Sequence, residues 1–120
     1  MNNKATGKMG ESFVCRHLLN KGYQIVDRNF LINRYSEIDI IAKKSTEIAF
    51  IEVKTRTSFK LGEQYKAVTN YKSHKIKRGV SHFLNRYPKY YEFSYKLVVA
   101  IVLIDPYSKR FKVVFYDYLH

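Results

Sequence analysis

The segment SEIDIIAKKSTEIAFIEVKTR, residues 36–56, limits the possible folds more than any other part of the chain. Two apolar runs flank the polar turn Lys44-Ser45-Thr46, and around Ile48, Ala49, Phe50, Ile51 and Val53 both faces of a strand are apolar. A strand of this kind belongs inside a sheet that is covered on both sides. Yet Glu37, Asp39, Glu52 and Lys54 interrupt the apolar runs. Desolvating a carboxylate without a partner is expensive, so charges in such a place need a reason.

The rest of the chain supplies the elements around this hairpin. Residues 6–20 read as a helix closed by Lys21-Gly22, the expected cation and C-terminal glycine. Residues 23–29, 37–43 and 47–54 read as strands, and residues 57–64 as a loop containing Gly62. A long helix over residues 67–87 is ended by Pro88. Two further strands follow, over 95–104 and 110–116, separated by the turn that Asp105-Pro106 begins. The order α-β-β-β-α-β-β predicts a mixed α/β (α+β) fold, a central mixed sheet flanked by helices. With 120 residues and 46% hydrophobic content, one packed domain over residues 1–120 is expected.

Composition narrows the setting. Cys15 is the one cysteine, so no intrachain disulfide forms, which fits a reducing cytosol. The first ten residues lack the apolar core of a signal peptide. The longest apolar run, LVVAIVLI over residues 97–104, falls far short of the ~20 residues that span a bilayer. A cytoplasmic protein with no membrane segment is expected. Lys and Arg number 22 against 10 acids, a formal charge of +12. That balance favours a polyanionic partner, because neutralising phosphates releases condensed counterions. Ribosome-associated and membrane-surface proteins share it, so it names a partner class and no reaction.

Strand alternation puts Glu37 and Asp39 on one face, and Glu52 and Lys54 likewise share a face. A hairpin symmetric about Ser45-Thr46 pairs Lys43 with Ile48, Ile41 with Phe50, Asp39 with Glu52 and Glu37 with Lys54. Opposed residues hold their β-carbons ~5 Å apart. Two carboxylates so placed repel unless a cation lies between them, and a hard divalent metal such as Mg²⁺ suits them. The alternative is a solvated strand end. Ser-Thr is also not a favoured two-residue turn, and a one-residue slip would spoil the pairing.

The helices point the same way. In the first, Glu11 lies in the inward stripe of Val14, Cys15 and Leu18; in the long helix, Lys72 lies among Val68, Ile76, Gly79 and Phe83. Glu11 also suits a helix N-terminus, and a lysine can snorkel outward. Together with the charged strands, the two suggest a shared polar pocket.

Asp39, then Glu52-Val53-Lys54, resembles the D…E-x-K signature of restriction-endonuclease-like nucleases, and the element order resembles their core. The wider set is more specific. Gly7-x-x-Gly10-Glu11, Gly22-Tyr23, Arg28-Asn29, Glu37-Ile38-Asp39 and Phe50-Ile51-Glu52-Val53-Lys54 are followed by Arg56, Phe59, Gly62, Ala67-Val68 and Lys72. This resembles the YraN-like family of small bacterial proteins, related to archaeal Holliday junction resolvases. Ser36 stands where that family usually carries glycine.

The resemblance implies an endonuclease that uses Mg²⁺ or Mn²⁺ on DNA phosphodiesters, DNA more than RNA, with branched or junction DNA as the substrate class. It implies metal ligation by Asp39, Glu52 and the Val53 backbone carbonyl, with Glu11 completing or supporting the site. Lys54 orients or deprotonates the attacking water, and Lys72 contacts the phosphate. Glu37 and Arg56 are supporting or DNA-contacting residues. A homodimer suits enzymes that cut two strands symmetrically.

Lys60, Lys66, Lys75, Lys77, Arg78 and Arg86 offer a phosphate-contacting surface, or simply a solvated helix face. The tyrosines of residues 85–96 (NRYPKYYEFSYK) read as a loop packing beside a strand. His17, His74, His82 and His120 show no metal-ligand spacing. The alternative function is a non-catalytic nucleic-acid-binding module or assembly subunit on the same fold.

Overall fold

The computed structural model describes residues 3–34, 36–57, 73–105, 107–108 and 110–118. Helix α1 (Asn3–Asn20) is followed by strands β1 (Gln24–Asn33), β2 (Ser36–Lys44) and β3 (Glu47–Arg56). Helix α2 (Ser73–Arg86), a 3₁₀ turn at Pro88–Tyr90, and strands β4 (Ser94–Ile104) and β5 (Phe111–Tyr118) complete the order. The expected sequence of elements and the mixed α/β class are both present. Residues 67–72 of the expected long helix, and the loop around Gly62, lie outside the described residues.

The strands form one sheet in the order β1-β2-β3-β4-β5. All neighbours are antiparallel except β3 and β4, which run parallel at the centre. Doubly covered strands belong there, as the apolar runs of β3 and β4 require. On one face, Val14, Cys15 and Leu18 of α1 pack with Ile40, Ile51, Ala100 and Val102. On the other, Val80 and Phe83 of α2 pack with Phe30, Ile38, Ile41 and Phe50. The ring of Phe83 lies edge-on to Phe30 at 5.7 Å and to Phe50 at 5.4 Å between centroids. The inward stripe expected of α1 is buried, as are Gly79 and Phe83 of α2.

α1 ends as Lys21-Gly22 predicts. Gly22 takes φ +92°, its N–H donates to the Leu19 carbonyl at 3.1 Å, and the Tyr23 N–H donates to the Leu18 carbonyl at 3.0 Å. This is a Schellman closure, which needs a left-handed residue where glycine has no Cβ penalty. The β2–β3 turn is Ser45-Thr46 with Ser45 at φ +53°, and the pairs Lys43–Ile48 and Ile41–Phe50 form as the symmetric register demands.

β1 is longer than its expected span and carries two register shifts, between Ile25 and Asp27 and between Leu31 and Asn33. A further irregularity lies between them. Arg28 pairs with Ile40 and Phe30 with Ile38, but no rung joins Asn29 to Asp39. Ile40 belongs to the α1-side core and Ile38 to the α2-side core, although two residues of spacing should keep them on one face. Asn29, at φ +53°, supplies the twist on β1. Asparagine tolerates this left-handed conformation better than most residues. The β1–β2 pair thus changes face at Asn29 and Asp39.

Candidate active site

That change of face sets the position of Asp39. The β2–β3 ladder runs regularly from Lys44–Glu47 to Ile40–Ile51 and stops there. The expected backbone rung between Asp39 and Glu52 is absent; the Asp39 side chain enters the gap, its Oδ2 accepting from the Val53 N–H at 2.8 Å. A strand residue turns its N–H and C=O toward the same neighbour, so the Val53 carbonyl faces the gap as well. The two strands therefore part at a fork, and a carboxylate sits in it.

Asp39 is 8% exposed and Glu52 5%, the buried acids among the described residues. Alternation along β3 places Glu52, Lys54 and Arg56 on the face of Phe50, since the parallel register sets Glu52 beside Val99 and Lys54 beside Ile101. The Lys54 ammonium lies 3.7 Å from Glu52 Oε1, with the Lys54 side chain 35% exposed and that of Glu52 6%. Lys54 thus links a buried acid to solvent. Arg56 is exposed and its Nη1 donates to the Thr55 carbonyl at 3.0 Å.

Glu11 reaches the fork from α1 on the opposite face. Its Oε1 accepts from Asn29 Nδ2 at 3.2 Å and lies 3.8 Å from Arg28 Nη2. The same Asn29 amide donates to Glu37 Oε1 at 3.0 Å, so one side chain ties two carboxylates together. Burial pushes the Glu11 carboxyl up; Asn29 and Arg28 oppose the shift, and the negative charges of Glu37 and Glu52 add to it. Glu11 is held here against its own desolvation. What permits its approach is Gly10: a β-carbon there would run into Oγ1 of Thr55 on β3. That hydroxyl is buried and finds no hydrogen-bond partner among the described residues. Close contact between α1 and β3 has been kept at the expense of a satisfied hydroxyl.

Asp39 meets Val53 at the fork, Glu52 and Lys54 pair on the adjoining stretch of β3, and Glu11 and Glu37 are joined through Asn29. Among the described residues no group of three or more His, Cys, Asp or Glu side chains is close enough to hold a metal ion by side chains alone. The all-oxygen set of Asp39, Glu52 and the Val53 carbonyl suits a hard divalent cation, which is commonly held by one or two carboxylates and water. Lys60, Lys66 and Lys72 lie outside the described residues, as does the Lys75 side chain. Lys77, Arg78 and Arg86 are exposed on α2. Tyr90 is buried and packs on Phe83 as a loop aromatic should, while Tyr91 and Tyr95 stand more than half exposed. Arg28, Asn29 and Thr55 had no place among the expected site residues. Arg28-Asn29 already stood among the motifs shared with the YraN-like family, which was the available signal.

No helix among the described residues is long and apolar enough to cross a membrane. Residues 10–115 match the model of a family described as "Uncharacterised protein family UPF0102". Similar proteins include one from Syntrophomonas wolfei, 38% identical over 89% of this chain and 92% of its own length. One from Alkaliphilus metalliredigens is 37% identical over 88% of this chain and 91% of its own. Another from Dictyoglomus thermophilum is 35% identical over 99% and 97%. Each bears the name UPF0102 protein. The match takes in Gly10 and Glu11 on α1 together with the whole β2–β3 fork, and the chain belongs to the UPF0102 family, the family of YraN-like proteins.

Proposed function

We propose that this protein is a metal-dependent endonuclease acting on DNA phosphodiesters, with branched or junction DNA as its substrate class. One observation carries the reading: two buried carboxylates, Asp39 and Glu52, stand where the β2–β3 ladder opens, beside a half-exposed lysine. A protein does not bury two acids and a facing carbonyl for stability, since desolvation is unfavourable.

Asp39, Glu52 and the Val53 carbonyl would hold Mg²⁺ or Mn²⁺, with Glu11 supporting them from α1. Such an ion stabilises charge developing on a phosphoryl oxygen. The Val53 N–H fixes the orientation of the Asp39 carboxylate through Oδ2. Lys54, anchored by Glu52, offsets negative charge at the phosphate and orients the attacking water or takes its proton. Lys72 is expected to contact the phosphate. Asn29 and Arg28 hold Glu11 and Glu37 beside the fork. Arg56, Lys60, Lys66, Lys75, Lys77, Arg78 and Arg86 track the DNA backbone, an interaction that the +12 charge makes strongly salt-dependent. A homodimer would present two such forks to a symmetric junction, and a cytoplasmic setting agrees with the lone Cys15.

The second reading is a nucleic-acid-binding module without turnover, to which the +12 charge is equally suited. One experiment separates the two. The purified chain is assayed on junction, duplex and single-stranded DNA and on RNA, with Mg²⁺ or Mn²⁺, beside Glu52→Gln. Metal-dependent cutting of branched DNA that Glu52→Gln abolishes while binding survives supports the endonuclease. Salt-sensitive binding with no cutting in either metal overturns it in favour of the module.

A further inference from the structure

A second cluster of cations lies on the α1 face of the sheet, at the hairpin end of β3. Here Leu18, Ala49, Ile51, Val98 and Phe115 floor a cleft whose rim carries Lys21, Tyr23, Lys96 and Asp117. Its volume is about 140 Å³. An apolar cavity of about 150 Å³ holds one benzene ring. The cleft is thus sized for a single six-membered ring.

The rim chemistry is specific. The Lys21 ammonium lies 5.3 Å from the centroid of Phe115 and forms no ion pair among the described residues. The Lys96 ammonium lies 6.0 Å from the centroid of Tyr23 and pairs with Glu47 at 3.4 Å. Burial disfavours the Lys96 charge, but Tyr23 and Glu47 outweigh it, so the ammonium is held firmly charged. Lys44 flanks the cleft, its Nζ 5.5 Å from the Tyr23 ring centroid and donating to the Lys21 carbonyl at 2.7 Å. Asp117 extends from β5 beside Val98, within the same lining, and offers an acceptor. A bare inorganic anion has no use for an apolar floor, and an uncharged ring has no use for two ammonium groups. A ring bearing both a phosphate and an exocyclic amino group uses every part of the cleft.

We propose that this cleft binds a cytosine nucleotide: the pyrimidine ring on the floor of Ala49, Ile51, Val98 and Phe115, the phosphate at Lys21 and Lys96, and the amino group at Asp117. A carboxylate is the natural acceptor for the cytosine N4 amino group, and the volume matches a single ring. The ligand is a free nucleotide or the phosphorylated end of a strand, since both present the same groups. The proposal does not rest on the endonuclease reading, because the cleft lies on the opposite face of β3 from Glu52.

The test is an NMR titration of the ¹⁵N-labelled full chain with cytidine monophosphate, cytidine, inorganic phosphate, uridine and adenosine monophosphates, and a 5′-phosphorylated cytosine-ended trinucleotide. Expected are saturable shifts at the amides of Lys21, Tyr23, Val98 and Phe115. Cytidine monophosphate should bind at least tenfold more tightly than cytidine or inorganic phosphate. Lys21→Ala should weaken cytidine monophosphate at least fivefold and leave cytidine unchanged; Asp117→Ala should abolish the preference over uridine monophosphate. A response to the trinucleotide at the same amides identifies a strand end as the source, and its absence identifies the free nucleotide. Glu52→Gln should bind the nucleotide as the wild type does, whatever its effect on cutting. Inorganic phosphate binding as tightly as the nucleotide, adenosine monophosphate binding equally well, or no saturable shift would each overturn the proposal.

Discussion

β3 opens on one glutamate and carries a second at its middle, where the ladder to β2 has ended, and each faces a lysine. At the hairpin end Glu47 meets Lys96 at 3.4 Å, with the two side chains 41% and 34% exposed. At the fork Glu52 meets Lys54 at 3.7 Å, with Glu52 only 6% exposed. Distance does not separate the pairs; solvent does. The first is an ordinary surface ion pair, screened and interchangeable. The second keeps a carboxylate out of water in the company of another, Asp39, an arrangement that folding alone would select against. The same strand therefore carries one ion pair in solvent and one acid held out of it.

The largest expected contrast is catalytic. Glu52→Gln should reduce cutting of junction DNA at least about a hundredfold, while Glu47→Gln should change it less than about twofold; equal losses would dissolve the distinction between the two acids. Next comes stability at the fork. Asp39→Leu leaves the part-buried Val53 N–H without its acceptor and should cost about 1–3 kcal/mol in urea unfolding, whereas Asp39→Asn, which keeps an acceptor, should cost much less.

Smaller is the pH response of Glu11. Its folded carboxyl titrates above the ordinary 4.5, raised chiefly by burial, so the unfolded chain ionises first and stability falls as pH rises through the folded value. Glu11→Gln should match the wild type near pH 4 and exceed it modestly at pH 7. A variant less stable at pH 7 would mean that Arg28 repays the burial in full. Smallest of all, Lys96→Met should alter stability by less than about 1 kcal/mol, and high salt should erase the difference.

Much of this arrangement could be read from residues alone. The apolar run of residues 47–53 announced a strand covered on both faces, residues 95–104 announced a further strand, and Lys21-Gly22 announced the helix end. The Ser45-Thr46 turn gave the correct hairpin register as far as Ile40 and Ile51. Beyond that rung period-two reasoning failed, because it assumes one unbroken pleat. Asn29 breaks the pleat with a left-handed φ, and neither its conformation nor the matching step at Asp39 leaves a trace in hydrophobic periodicity. Asp39 thus reaches β3 by a side chain entering an opened ladder, at the Val53 N–H, rather than by facing Glu52 across it. The Gly10–Thr55 contact was equally hidden, since it depends on how closely α1 settles on the sheet.

The parallel pairing at the centre of the sheet also bears on how the chain folds. Glu47 neighbours Ser94 there, so that pair cannot form until a long intervening segment has closed, an entropic delay that local hairpins do not face. β1 and β2 each pair with their immediate successor. Glu11, Asp39 and Glu52 all lie in this early-forming half. The acids should thus be gathered before β4 shields them, and mutual repulsion would act as a brake on the first stage of folding. Pulsed hydrogen exchange during refolding should show Ile40, Ile41 and Phe50 protected before Ala100 and Val102. Divalent cations, by quenching the repulsion, should quicken that first phase more than the second.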